Sequence, residues 1–153
     1  MIKRIAVLLL LAALTCLTTG CKRMDYSLPE NPVEFYNGTF VNPADQNDTY
    51  YSVTYQERIY IPYGRLASKG MGGDDLGRCL GYQVQDGVKD ENSRFFALAN
   101  DDNTDFLVRK YIGGIMEQPV FFRAVDTKGK ELTVPSCIEN DDLILFWNEK
   151  SQK

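Results

Sequence analysis

The chain contains no histidine. That absence removes the commonest general base and the commonest zinc ligand together. It also excludes a papain-like thiol site, since no imidazole exists to activate a cysteine. Cationic side chains are the minority: 17 Lys and Arg stand against 21 Asp and Glu, a net charge of −4. An acidic surface repels nucleic acid, whose binding depends on cations that neutralise phosphates. Nucleic acid is therefore not an expected partner. Long apolar runs are missing as well. The longest, Ile5–Leu14, has ten residues, and a membrane-spanning helix needs about 20. No internal repeat occurs.

What is present describes one folded unit. A length of 153 residues suits a single domain. Hydrophobic residues make up 44% and aromatics 12%, with nine Tyr, eight Phe and one Trp. Disordered chains lack such groups to bury.

The N-terminus has three zones. Met1 to Arg4 carry two cations, Ile5–Leu14 is apolar, and Thr15 to Gly20 are mostly small. This is the pattern of a secretory signal peptide. The exit reads Leu17-Thr18-Thr19-Gly20-Cys21. It resembles the lipobox of bacterial lipoproteins, with Gly20 and Cys21 at the two most restrictive positions. Thr18 departs from the leucine most often found there. Cys16 follows Thr15, after which that family does not usually cleave. The resemblance covers residues 1–21 only. It implies removal of residues 1–20 and lipid on Cys21, hence a membrane as partner. Two or three acyl chains suffice for stable anchoring. Lys22, where an aspartate would favour inner-membrane retention, implies the outer membrane in a Gram-negative host. In a Gram-positive host the protein would sit on the outer face of the cytoplasmic membrane. With Lys3 and Arg4 removed, the mature balance is 15 against 21, or −6.

Residues 21–32, polar and holding Pro29 and Pro32, are expected to form a tether. Residues 33–150 are expected to form one all-β or mainly β domain, a small barrel or sandwich of about seven short antiparallel strands. Asn37-Gly38 within Val33–Val41 is a two-residue hairpin signal. Tyr51, Val53 and Tyr55 alternate with Ser52 and Thr54, and Ile59, Ile61 and Tyr63 with Tyr60 and Pro62. Pro62 cannot donate to a ladder, which marks an edge strand or a strand end. Further strands are expected over 78–84, 94–99, 106–111, 120–125 and 131–134, with a turn over 126–130. For 143–147 a strand and a short helix capped by Asn140-Asp141 both remain open.

Glycines at 64, 70, 72, 73 and 77 predict a mobile loop. They do not form a phosphate cradle: Asp75 stands where a dinucleotide fingerprint needs glycine. Cys79 and Cys137 remain once Cys16 and Cys21 are set aside. A pair in an exported domain suggests a disulfide closing 58 residues, stabilising by roughly 4 kcal/mol in the chain-entropy model. The alternative is a reactive thiol at Cys79 beside Arg78. Asp101, Asn103 and Asp105 imitate the start of a calcium loop, but Phe106 and Ile112 replace the glycine and glutamate it requires. A polar turn is the expectation. Glu139, Asp141 and Asp142 are read as a solvated face; a carboxylate pair for glycoside hydrolysis needs a spacing that nothing here selects.

Tyr50, Tyr51, Tyr55, Tyr60 and Tyr63 crowd into 14 residues. They suit either half-buried strands or an exposed recognition face for protein or sugar. Arg123 interrupts an apolar strand, as a snorkelling side chain or a buried charge. Neither a cofactor nor a metal site is expected. The functional expectation is a non-enzymatic, membrane-tethered module binding an envelope protein or a glycan. The alternatives are an immunity or inhibitor lipoprotein, and an enzyme working through carboxylates or Cys79.

Overall fold

The computed structural model describes residues 23–114 and 117–148. The expected signal peptide and the lipid attachment at Cys21 lie outside the described residues. Nine strands are present: β1 (Val33–Tyr36), β2 (Gly38–Asn42), β3 (Asp45–Tyr55), β4 (Arg58–Leu66), β5 (Leu76–Gln85), β6 (Val88–Leu98), β7 (Phe106–Tyr111), β8 (Val120–Ala124) and β9 (Ile138–Asn140). Among the described residues there is no α-helix, only 3-10 turns at Val125–Thr127 and Leu145–Trp147. The protein is thus mainly β, with more strands than the seven expected. The sheet order is β1-β5-β6-β7-β8-β4-β3-β2, and β9 pairs with β4.

Two hairpins rest on left-handed turn pairs. Gln56-Glu57 (φ 48° and 64°) joins β3 to β4, and Asp86-Gly87 (φ 51° and 77°) joins β5 to β6. Two positive φ values in succession match the right-handed twist of the flanking strands. The expected Asn37-Gly38 hairpin is absent. Neither residue has a positive φ, and β1 and β2 do not pair with each other. Instead β1 adds parallel to β5, while β2 pairs antiparallel with β3. Gly81 permits the parallel contact, because a Cβ there would lie 1.9 Å from the Val33 carbonyl oxygen.

β1 and β2 are the two ends of the sheet, yet only Asn37 separates them. The ends must therefore lie side by side, and the sheet curls round to meet itself. Asn37 closes the seam: its Oδ1 accepts from Tyr51 Oη of β3 at 2.8 Å and from Gln83 Nε2 of β5 at 3.0 Å.

Alternation along the strands divides the apolar side chains into two cores. Phe35, Val53, Tyr55, Tyr60, Leu80, Phe95, Leu107, Phe122 and Ala124 form the first. It fills the inside of the curl, since it joins strands that are not neighbours: Phe35 stacks on Phe95 at 4.2 Å, and Phe95 meets Phe122 at 5.7 Å. The second lies on the outer face, where Ile61, Tyr63, Phe96, Val108 and Phe121 are covered by Ile138, Phe146 and Trp147. Met24, Tyr26 and Leu28 also pack there. Part of the expected tether is therefore docked on the sheet.

Pro62 is not on an outer strand. Gly64 pairs with Phe121 of β8 and with Asn140 of β9, so β9 occupies the side of β4 that β3 leaves after Tyr60. Pro62 falls in the gap between β3 and β9, and its carbonyl accepts from Trp147 Nε1 at 2.8 Å. The glycine segment is also more ordered than its composition suggests. Gly64 belongs to β4 and Gly77 to β5, and a Cβ on either would meet backbone oxygen, of Glu139 at 2.4 Å and of Ala97 at 2.8 Å. These glycines serve close strand approach. Residues 131–134 form no strand; pairing with β4 is taken instead by Ile138–Asn140. The open element at 143–147 is a 3-10 turn, with Leu143 N donating to Asp141 Oδ1.

Candidate functional site

The tyrosine face does not form. Tyr55 and Tyr60 are buried in the inner core and Tyr63 in the outer core, so their rings cannot stack on a ligand. Tyr50 is half-buried and donates to Asp48 Oδ2 while accepting from Phe146 N. Burial and that carboxylate push its hydroxyl up to about 12. Half-buried Tyr51 faces the polar groups at the end of the inner core, Asn37 and Gln83. The error has a physical source: tyrosine suits a strand whether its ring points into the core or out.

Cys79 and Cys137 are free thiols, not a bridge. Both are buried in the outer core as small apolar groups, and Cys79 Sγ is directed at the Gly81 carbonyl within its own strand. Burial pushes both thiols above the ordinary range, the opposite of an activated nucleophile. Arg123 is held by Thr127 and by aromatic faces, its guanidinium carbon lying 4.8 Å from the Trp147 centroid and 5.3 Å from that of Tyr63. Among the described residues it makes no ion pair.

The segment 101–105 is the expected polar turn between β6 and β7. Asp101 accepts from Asp105 N at 3.0 Å and from Phe106 N at 2.7 Å. Arg58 reaches across from the β3–β4 turn to bind Asp105, Asp126 and the carbonyls of Asn103 and Thr104. The carboxylates are occupied by the fold. Glu139 pairs with Arg65 at 3.3 Å, which leaves the C-terminal acids with structural or solvated roles.

The polar end of the inner core is a site that sequence reasoning passed over. Tyr51, Ser93 and Arg109 share strand faces with Val53, Phe95 and Leu107, so they continue the interior beyond its apolar part. Gln83 and Asn37 meet them at the seam. Ser93 Oγ donates to Gln83 Oε1 at 2.8 Å, and Arg109 Nη1 lies 3.4 Å from the same oxygen. Gln83 and Ser93 are buried. Burial raises the Tyr51 hydroxyl, with Arg109 acting against it. The legible signal was Arg109 two residues after Leu107, on the face of β7 that the apolar core occupies.

Two arginines with equal exposure show what distinguishes this end. The side chains of Arg58 and Arg109 are each 23% exposed. Arg58 uses all three of its nitrogens in hydrogen bonds. Arg109 has a long bond to Gln83 at 3.4 Å, an ion pair with Glu117 at 3.9 Å and an interaction with the Tyr51 hydroxyl. Its contacts to Gln83 and Glu117 are longer than any bond of Arg58, which lie at 2.8–3.3 Å. The arrangement can hold an anionic or hydroxyl-rich group. It offers little for attack on one, because the Ser93 hydroxyl faces an amide oxygen and no base. Comparison with protein family models, with curated proteins and with solved structures gave no match.

Proposed function

We propose that the protein is an envelope lipoprotein, anchored through Cys21, whose curled sheet is a non-enzymatic binding module for a glycan or an envelope protein. The polar end of the curl receives the ligand. The observation that carries this reading is Arg109, half-buried beside Tyr51, Gln83 and Ser93 and held by long contacts to Gln83 and Glu117. Buried polar groups are costly unless well paired, and a carboxylate or a set of sugar hydroxyls would supply closer acceptors. No activated nucleophile or acid–base pair accompanies them, which supports binding over catalysis.

The test compares the native protein with Arg109→Gln, which keeps a polar side chain and removes the charge. Both are applied to an array of acidic and neutral glycans and to solubilised envelope. Retention of one glycan or protein by the native form, with at least a roughly tenfold loss in the variant, is expected from removing a charge-assisted pair. Equal retention by both forms removes Arg109 from the site, and no retention by either removes the binding reading.

One observation favours the second reading, an inhibitor or immunity lipoprotein. Leu143 is 85% exposed on the turn fixed by Asp141, and Leu145 beside it is exposed as well. A rigid turn bearing two leucines and flanking acids suits insertion into a partner protein. Leu143→Ser would then abolish capture of that protein and leave glycan retention unchanged.

A further inference from the structure

We infer that the outer face of β6 and β7, around Arg23, Arg94 and Lys110, rests on an anionic phospholipid bilayer. This depends on the lipoprotein reading for the anchor. It adds an orientation and a lipid class.

The first ground is the docked N-terminal segment. Tyr26 lies edge-on to Phe96 with centroids 6.0 Å apart, and Met24 and Leu28 pack on the same core. Arg94 Nη1 donates to the Tyr26 carbonyl, and Lys110 Nζ sits over the Tyr26 ring at 5.9 Å. A free tether from Cys21 to Pro32 could hold the domain about 40 Å from the lipid, whereas Cys21 to a docked Met24 spans at most about 10 Å. The face that binds Met24 and Tyr26 must therefore lie next to the membrane.

The second ground is the charge of that face. Arg94 and Lys110 are direct partners across β6 and β7. Like charges opposite one another destabilise an antiparallel pair, yet among the described residues neither forms an ion pair. Arg23 is exposed beside them, and Lys22 precedes it in the sequence. Arg23 and Arg94 line a groove of about 800 Å³ with Met24, Asp25, Tyr26 and Ser27. Asp25 is the carboxylate of that lining, and it accepts from Ser27 N at 2.9 Å. Arg94 Nη2 has no protein acceptor among the described residues. In a mature chain of net charge −6, three cations, Arg23, Arg94 and Lys110, gather where the lipid is expected. Phosphate headgroups supply the missing negative charge.

The experiment uses the exported, processed protein reconstituted into vesicles of phosphatidylcholine alone or enriched in phosphatidylglycerol. The readouts are the intact mass and amide hydrogen exchange. Arg23→Ser with Lys110→Ser is the working variant, since neither side chain makes a hydrogen bond among the described residues. Unchanged exchange in β4 and β8 shows that the variant is folded. Each cation near an anionic surface contributes about fivefold to its occupancy, so the double variant should weaken the contact roughly 25-fold.

The expected result is a lipidated mass with slowed exchange in 24–28 and 91–94 on anionic vesicles only. That slowing should be lost in the variant and in high salt. A lipidated mass with the same exchange on both vesicles overturns the proposal and leaves the anchor intact. A mass without lipid overturns the anchor, and the proposal with it.

Discussion

At the scale of single residues, the strongest device is Arg58. It ties the β3–β4 turn to the β6–β7 turn and to Asp126. That hydrogen bond is the main reason the Asp126 carboxyl is held below its usual range. A lowered carboxyl stabilises the fold fully above the ordinary carboxylate value and loses that contribution as pH falls through its own. Arg58→Gln should therefore cost about 2 kcal/mol near pH 7, from lost charged hydrogen bonds and unpaired carbonyls. The difference in Tm between the two proteins should shrink steadily below the ordinary Asp range, as thermal melts over an acid series would show. The thiols supply a second check. A protein begun at Lys22 holds only Cys79 and Cys137, and both should resist a thiol reagent while folded. Both should react at once in denaturant without reductant. Their failure to react there would mean that the bridge forms after all.

At the scale of elements, β1 is the vulnerable strand. It has four residues and among the described residues pairs only with β5, through the space left by Gly81. Gly81→Ala places a methyl group against the Val33 backbone, and overpacking against a main chain that cannot step aside costs roughly 2–3 kcal/mol. The urea midpoint should fall, and the amides of 33–36 should lose protection before those of β6 and β7. Retained protection in β1 would show that the seam at Asn37 holds the strand without Gly81. Turn chemistry explains which hairpins could be read. Asp86-Gly87 carries a strong local signal that the sequence reading did not use. Gln56-Glu57 turns the chain with residues that carry almost none, and the strands on either side determine its geometry.

At the scale of the molecule, the strand register relates the two proposed surfaces. Ser93 and Arg109 point into the curl, while their neighbours Arg94 and Lys110 point outward from the same end of the same strands. A ligand held by Arg109 would therefore sit close to the bilayer beneath Arg94 and Lys110. The remaining acidic surface would face away from it. An acidic domain tethered in this way would otherwise be repelled by anionic lipid, and Arg23, Arg94 and Lys110 on the facing surface would offset that repulsion.

The β class, the single domain and the polar turn at 101–105 were legible in the residues themselves. Each depends on short-range properties: period-two alternation, chain length, and Asp and Asn that bond their own backbone. Much of the candidate site was not legible. Tyrosines at 50–63 look alike in sequence, and only the curl of the sheet decides that Tyr60 is sealed inside while Tyr51 reaches the polar end. Asn37-Gly38 carries a hairpin signal, but β1 pairs with β5 instead, which places Phe35 against Phe95 and Tyr55 in the inner core. The same rule governs the arginines. Arg58 and Arg109 are both strand arginines of equal exposure, and what separates a structural clamp from a proposed binding group is the set of acceptors that distant segments bring to it.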